Sequence, residues 1–166
     1  PETLKKGKAR PAQFQAALVG SAFCVVADRY LVTAYHILNG GQALNTQDKF
    51  YAFIVPVNGD PAFHFPVTSF PIERRDLDIA VLEIGPCAQV GVRVPSIPVS
   101  FTSQPDGMRV VTVGFPAPEI AKLGLDAQGK FLGGEFFLKS HANEGIVSAQ
   151  YIISGVPFYE LNVGWH

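Results

Sequence analysis

Two stretches of the sequence place side chains with acid–base chemistry at the ends of apolar runs. Residues 31–36 read LVTAYH, so His36 directly follows an apolar run, and Asp78 directly precedes the apolar residues 79–82, IAVL. Histidine is the side chain that gains and loses a proton most readily near neutral pH. A lone histidine nevertheless has a structural role more often than a catalytic one, and an aspartate in such a position can simply end a turn. The residue types alone leave both interpretations open.

The segment LVTAYH resembles the histidine motif of the trypsin/chymotrypsin-fold serine endopeptidases, specifically those of the HtrA-like kind. In that family the histidine is the general base of a Ser-His-Asp triad, and the aspartate before Ile-Ala-Val-Leu orients the histidine ring. The resemblance therefore implies that His36 is the general base and Asp78 its orienting partner, with Asp76 as the spare carboxylate. The order of histidine before aspartate also matches chymotrypsin and differs from subtilisin and the α/β-hydrolases.

Two further segments extend this resemblance over residues 19–166. Residues 111–116, VTVGFP, are similar to the strand that opens the second barrel of the family, and residues 145–149, GIVSA, are similar to an HtrA-type strand. The family pattern would then continue into Gly-x-Ser-Gly-Gly, whose serine attacks the substrate and whose backbone N–H groups form the oxyanion hole. The resemblance thus implies a serine endopeptidase that cleaves polypeptides without a cofactor, with its nucleophile beyond residue 166. Residues 1–166 alone are expected to be inactive.

Two alternative functions remain compatible with these motifs. One is a catalytically inactive pseudopeptidase that binds an extended peptide at a barrel edge. The other is a peptidase of the same fold with a cysteine nucleophile. The residue at the Gly-x-[Ser/Cys]-Gly-Gly position distinguishes the three functions.

The nucleophilic side chains within the chain lack the context of a catalytic nucleophile. Ser148 lies inside an apolar run, without the sharp glycine-flanked turn that exposes a reactive serine. Cys24 falls in the run before the histidine hairpin and is expected to pack in the core, as is Cys87. Two cysteines are too few for a disulfide framework, so both are predicted to be reduced.

The other histidines do not predict a metal site. They show no ligand spacing such as H-E-x-x-H, and His64 alternates with two phenylalanines as an outward-facing strand residue would. The three histidines are His64, His141 and His166.

Composition excludes several classes of partner. The 166 residues, 48% of them hydrophobic, are enough for a globular core, and a net charge of -1 provides no field to hold nucleic acid. No stretch approaches the roughly 20 apolar residues of a membrane span, and the first residues lack the apolar core of a secretory signal. No nucleic-acid or membrane partner is predicted, and the compartment, cytoplasm or periplasm, is left open.

Short β-branched and aromatic runs, separated by many of the 13 prolines and 16 glycines, predict an all-β fold with little helix. The best helical candidate is a single turn at residues 35–38, and residues 116–142 are predicted to form an irregular loop or a hairpin. The predicted strands cover residues 18–26, 30–34, 50–57, 63–70, 78–84, 109–115, 145–153 and 158–163.

Together with the resemblance, this pattern predicts a chymotrypsin-like double β-barrel, with the first barrel complete and the second partial. The expected divisions are a tail at 1–13, an N-terminal barrel at 14–99, a linker at 100–107, and the first part of a C-terminal barrel at 108–166. Half a barrel exposes unpaired strand edges, so additional strands from the same polypeptide or from a partner chain are expected to complete the second barrel.

Overall fold

The fold is of the nearly all-β class, as predicted. The computed structural model describes residues 19–39, 48–54, 63–87, 89, 91–115, 119–128, 130–137 and 139–164, and the predicted tail at 1–13 lies outside them. Within these ranges a short α-helix, α1, spans Tyr35–Asn39, and a 3-10 turn spans Arg75–Leu77. The strands are β1 Phe23–Val26, β2 Tyr30–Ala34, β3 Tyr51–Ile54, β4 Phe63–Arg74, β5 Ile79–Ile84, β6 Arg109–Gly114, β7 Glu119–Leu125, β8 Phe131–Phe137, β9 His141–Ile153 and β10 Val156–Val163.

The N-terminal strands form an antiparallel sheet that curls into a half-barrel, with the order β1-β2-β5-β4-β3. Residues alternate between the two faces of each strand, so that Leu31 and Thr33 of β2 are buried, as are Ala80, Leu82 and Ile84 of β5. The inner face of the sheet therefore holds the main core. Its buried members are Cys24, Leu31, Tyr35, Leu38, Phe65, Ala80, Leu82, Ile84 and Val94.

The pairing of β2 with β5 is the feature that positions the candidate site. The two strands run antiparallel from the pair Tyr30↔Glu83 to the pair Ala34↔Ile79. The end of β2 consequently lies beside the start of β5, although about forty residues of chain separate them. The next residues along each strand are Tyr35 and Asp78, and the backbone N–H of Tyr35 donates to the Asp78 carbonyl at 3.0 Å.

Strand β4 is longer than the sequence predicted, reaching Arg74 rather than residue 70. Proline lacks the N–H that a sheet ladder needs, so Pro71 favours an end to the strand. The structure instead places Pro71 in a register shift between Ser69 and Ile72, after which the pairing with β5 resumes. At this register shift the sheet requires no backbone N–H from Pro71.

The second half of the chain forms a three-stranded antiparallel sheet of order β10-β9-β6 and a separate hairpin of β7 and β8. The hairpin confirms one of the two predicted forms of residues 116–142. Strand β9 begins at His141, four residues earlier than expected, because β6 continues to pair with it up to Gly114↔His141. Several apolar side chains of this sheet are exposed, among them Val111, Val113 and Ile152.

An aromatic cluster fastens the β7–β8 hairpin to the first sheet. The buried Phe131 ring lies 5.4 Å from the ring of Phe53 and 4.6 Å from that of His64, measured between centroids. The Phe131 N–H also donates to the Tyr51 hydroxyl at 3.2 Å, and the ammonium of Lys49 donates to the Gln128 carbonyl at 2.8 Å. The hairpin therefore packs against β3 and β4 rather than extending freely into solvent.

Candidate active site

His36 is held at the point where β2 turns into the short helix α1. The buried Thr33 hydroxyl donates to the Ser21 carbonyl at 2.8 Å and ties the end of β2 to the preceding segment. The Ser21 hydroxyl in turn accepts the N–H of Phe115 at 3.1 Å, which links this region to the end of β6. His36 then follows as the second residue of α1, with 65% of its side chain exposed.

Asp78 is presented by the 3-10 turn that precedes β5. It adopts the left-handed backbone conformation, with φ 53° and ψ 40°, and its N–H donates to the Arg75 carbonyl at 3.3 Å. Aspartate is one of the few residues other than glycine that tolerate this region. The conformation ends the turn and starts the strand within one residue.

The Asp78 carboxylate contacts His36 through both of its oxygens. The backbone N–H of His36 donates to Asp78 Oδ1 at 2.9 Å, and His36 Nδ1 lies 2.7 Å from Asp78 Oδ2. The contact expected from the sequence motifs is therefore present. A carboxylate bound at two points has a defined plane, which favours one orientation of the imidazole ring.

The same contacts keep Asp78 ionised near neutral pH. The pKa of Asp78 is lowered first by the hydrogen bond from the His36 backbone N–H and second by the bond to the His36 ring. An ionised carboxylate accepts but cannot donate, so Nδ1 must carry the proton in a neutral His36 ring. The unprotonated nitrogen is then Nε2, to which no described residue hydrogen-bonds. This arrangement can accept a proton at Nε2 and stabilise the imidazolium that results.

Asp76, the spare carboxylate of the sequence analysis, is engaged elsewhere. The guanidinium of Arg74 binds it at two points, with Nε to Oδ1 at 2.9 Å and a terminal nitrogen to Oδ2 at 2.6 Å. This bidentate contact lowers the pKa of Asp76. Of the two aspartates, the structure brings Asp78 to His36.

The serine and the two cysteines considered as nucleophiles lie apart from the contact of His36 with Asp78, and two of them have contacts that disfavour reactivity. The Ser148 hydroxyl donates to the backbone carbonyl of Glu160 at 3.1 Å across the β9–β10 pair. Cys24 is buried, and burial raises the pKa of its thiol, which disfavours the reactive thiolate. Cys87 is half-buried beside Gln89, and both thiols are free, as predicted.

His64 differs from its predicted environment. It lies on the opposite face of β4 from the buried Phe65, as its alternation predicted, but the β7–β8 hairpin covers that face. Burial among the aromatic rings lowers the pKa of His64. His141 lies at the exposed start of β9, and His166 lies outside the described residues. The described ranges contain no group of three or more His, Cys, Asp and Glu side chains arranged to hold a metal ion.

Two side chains beside the site were not singled out by the sequence analysis. The Arg75 guanidinium donates from Nε to the Tyr35 hydroxyl at 2.7 Å, and its carbon lies 5.2 Å from the centre of the Tyr35 ring. Tyr35 directly precedes His36, and Arg75 begins the turn that ends in Asp78. Their positions were the sequence signal: Tyr35 lies within LVTAYH, and Arg75 lies three residues before Asp78.

In the part of the chain that the structure describes, no helix is long and apolar enough to cross a membrane.

Comparison with known families supports the relationship suggested by these motifs. The family described as trypsin-like peptidase domain matches residues 20–160, which include the His36 and Asp78 motifs and most of the second sheet. Comparisons with curated proteins and with solved structures gave no match. Since the match spans well over half of the sequence and the fold is all-β, the chain belongs to the trypsin-like peptidase domain family.

Proposed function

We propose that the protein is a serine endopeptidase in which His36 is the general base. Asp78 orients the His36 ring and stabilises its protonated form. The observation that carries this proposal is the two-point contact of the Asp78 carboxylate with the backbone N–H and Nδ1 of His36. This geometry leaves Nε2 as the proton acceptor, which is the nitrogen that faces the nucleophile in a Ser-His-Asp triad.

In the proposed reaction, His36 Nε2 takes the proton of a serine hydroxyl while the serine oxygen attacks the carbonyl carbon of a peptide bond. The imidazolium, stabilised by Asp78, then gives this proton to the leaving amine as the C–N bond breaks. A water molecule then attacks the acyl-enzyme while His36 Nε2 takes a proton from it. The imidazolium returns this proton to the serine oxygen as the acyl group leaves as a carboxylic acid. No step requires a cofactor.

We place the serine nucleophile beyond residue 166. This assignment is supported by the absence of a Gly-x-Ser-Gly-Gly segment from residues 1–166 and by the engagement of Ser148 in the β9–β10 pair. We further propose that the protein is of the HtrA-like kind, with barrels at residues 14–99 and 108–166 that are joined by a linker at 100–107. Residues 145–149, GIVSA, within β9 support the HtrA-like assignment.

The test uses the full-length protein, a fluorescently labelled unfolded polypeptide and a fluorophosphonate probe specific for activated serines. His36→Ala should abolish probe labelling and lower kcat/KM by at least about 10³-fold, because the base is lost. His141→Ala is the matched control, since His141 is an exposed histidine at the start of β9, and it should leave both readouts unchanged.

Each alternative function gives a different result in the same assay. Loss of cleavage on alkylation by iodoacetamide, without labelling by the fluorophosphonate probe, would identify a cysteine nucleophile. Binding of the polypeptide without cleavage or probe labelling would identify a pseudopeptidase. Full activity of His36→Ala would remove His36 from the mechanism.

A further inference from the structure

We propose that Arg75 is a positioning residue for the base, acting through Tyr35 to hold the His36–Asp78 contact in its productive geometry. The proposal rests on the proposed peptidase function. Its basis is that Arg75 binds Tyr35 in two ways, through the 2.7 Å hydrogen bond from Nε to the hydroxyl and through the guanidinium above the ring. The planar guanidinium of arginine can stack on an aromatic ring and donate a directional hydrogen bond at the same time. The ammonium of lysine cannot do both.

Three hydrogen bonds close a ring through Tyr35, Asp78 and Arg75. The N–H of Tyr35 donates to the Asp78 carbonyl at 3.0 Å, the N–H of Asp78 donates to the Arg75 carbonyl at 3.3 Å, and Arg75 Nε donates to the Tyr35 hydroxyl. The residue before the histidine is thereby connected at both its backbone and its side chain to the turn that presents the aspartate.

In the part of the chain that the structure describes, the central contact of the site is exposed. The side chains of His36 and Asp78 are 65% and 51% accessible, so water competes for both. Exposed ion pairs contribute little to holding a geometry. The contact alone is therefore a weak constraint on the ring orientation.

The turn that presents Asp78 also has little burial of its own. None of its residues is buried, and Arg74, which precedes it, makes no side-chain capping bond. Tyr35, in contrast, is only 3% exposed and belongs to the main core. The side chain of Arg75 connects this turn to a core residue through the bond to the Tyr35 hydroxyl.

The chain provides a matched control at the opposite end of the same strand pair. Arg29 stacks on the Tyr30 ring at 4.7 Å and pairs with Glu83 at 3.1 Å, far along β2 and β5 from His36. Arg29→Ala removes a comparable exposed arginine–tyrosine contact without touching the turn before Asp78.

The experiment measures the contact and its consequence separately in the full-length protein. The contact is read from the low-field proton resonance of the His36 Nδ1–H bonded to Asp78. The consequence is read from kcat and KM on the labelled polypeptide. Arg75→Ala should weaken or abolish the resonance and lower kcat about tenfold to a hundredfold with KM unchanged, because small misplacements of a catalytic group are costly. Arg75→Lys should restore only part of kcat, and Arg29→Ala should change neither readout.

Tyr35→Phe is the second variant, since it keeps the buried ring and removes only the hydroxyl that accepts from Arg75. It should fold normally and reproduce part of the kcat loss. Unchanged kcat in both Arg75→Ala and Tyr35→Phe, or an equal loss in Arg29→Ala, would overturn the positioning role. If the wild-type protein neither cleaves nor takes the probe, the proposed function fails, and the proton resonance still decides whether Arg75 holds the contact.

Discussion

Replacing Asp78 with asparagine is the most direct test of how the site fixes its histidine. Asparagine has nearly the same shape as aspartate, but one of its two acceptor oxygens becomes an NH₂ donor. In the structure the two oxygens have different partners, since Oδ1 accepts the backbone N–H of His36 and Oδ2 faces Nδ1. The backbone N–H always donates, so it selects the amide orientation that keeps the oxygen at its position.

The NH₂ group of the asparagine is then directed at Nδ1 of the His36 ring. To accept this bond, Nδ1 must lose its proton, and the proton moves to Nε2. A ring protonated at Nε2 cannot take a proton from a nucleophile. Flipping the amide does not remove this conflict, because the NH₂ group would then face the backbone N–H of His36, and both groups are donors.

We therefore expect Asp78→Asn to lower kcat by about 10⁴-fold, the loss that accompanies the wrong histidine tautomer in a triad. KM should stay unchanged, because Asp78 is placed behind the ring rather than against the substrate. The measurement is steady-state cleavage of the labelled polypeptide by the full-length protein at pH 7.5. Asp76→Asn is the control and should keep wild-type kcat, since Asp76 binds Arg74. A kcat for Asp78→Asn within about tenfold of the wild-type value would refute the reasoning.

Two further predictions concern the aromatic cluster between the hairpin and the first sheet. Phe131→Ala should lower the free energy of unfolding by about 3–5 kcal/mol, measured by urea denaturation, because a buried aromatic ring is removed; an effect below about 1 kcal/mol would mean that the hairpin docks without it. Burial lowers the pKa of His64, so the unfolded chain binds a proton at higher pH than the folded chain. Stability should therefore fall as pH drops below about 6.5, the ordinary histidine value, and His64→Phe should remove this part of the decline; identical pH profiles for both proteins would contradict the assignment.

Local sequence patterns determined most of the strands and the identity of the two candidate site residues. The alternation in β2 and β5 depends only on which neighbouring side chains are apolar, so it can be read from the sequence directly. The motif LVTAYH and the aspartate before IAVL are equally local. They were sufficient to predict a histidine at a strand end, an aspartate at a strand start, and their contact by family resemblance.

The tertiary structure decided which groups actually meet. The contact of Asp78 with His36, which the motif indicated, has its physical cause in the antiparallel register of β2 and β5. This register ends at Ala34↔Ile79, and no local pattern encodes it. The β7–β8 hairpin covers His64, a contact between segments more than sixty residues apart in the chain. Arg75 likewise reaches Tyr35 only across the paired strands. Sequence patterns report which face of a strand is apolar, whereas partners across a sheet are selected by packing among segments distant in the chain.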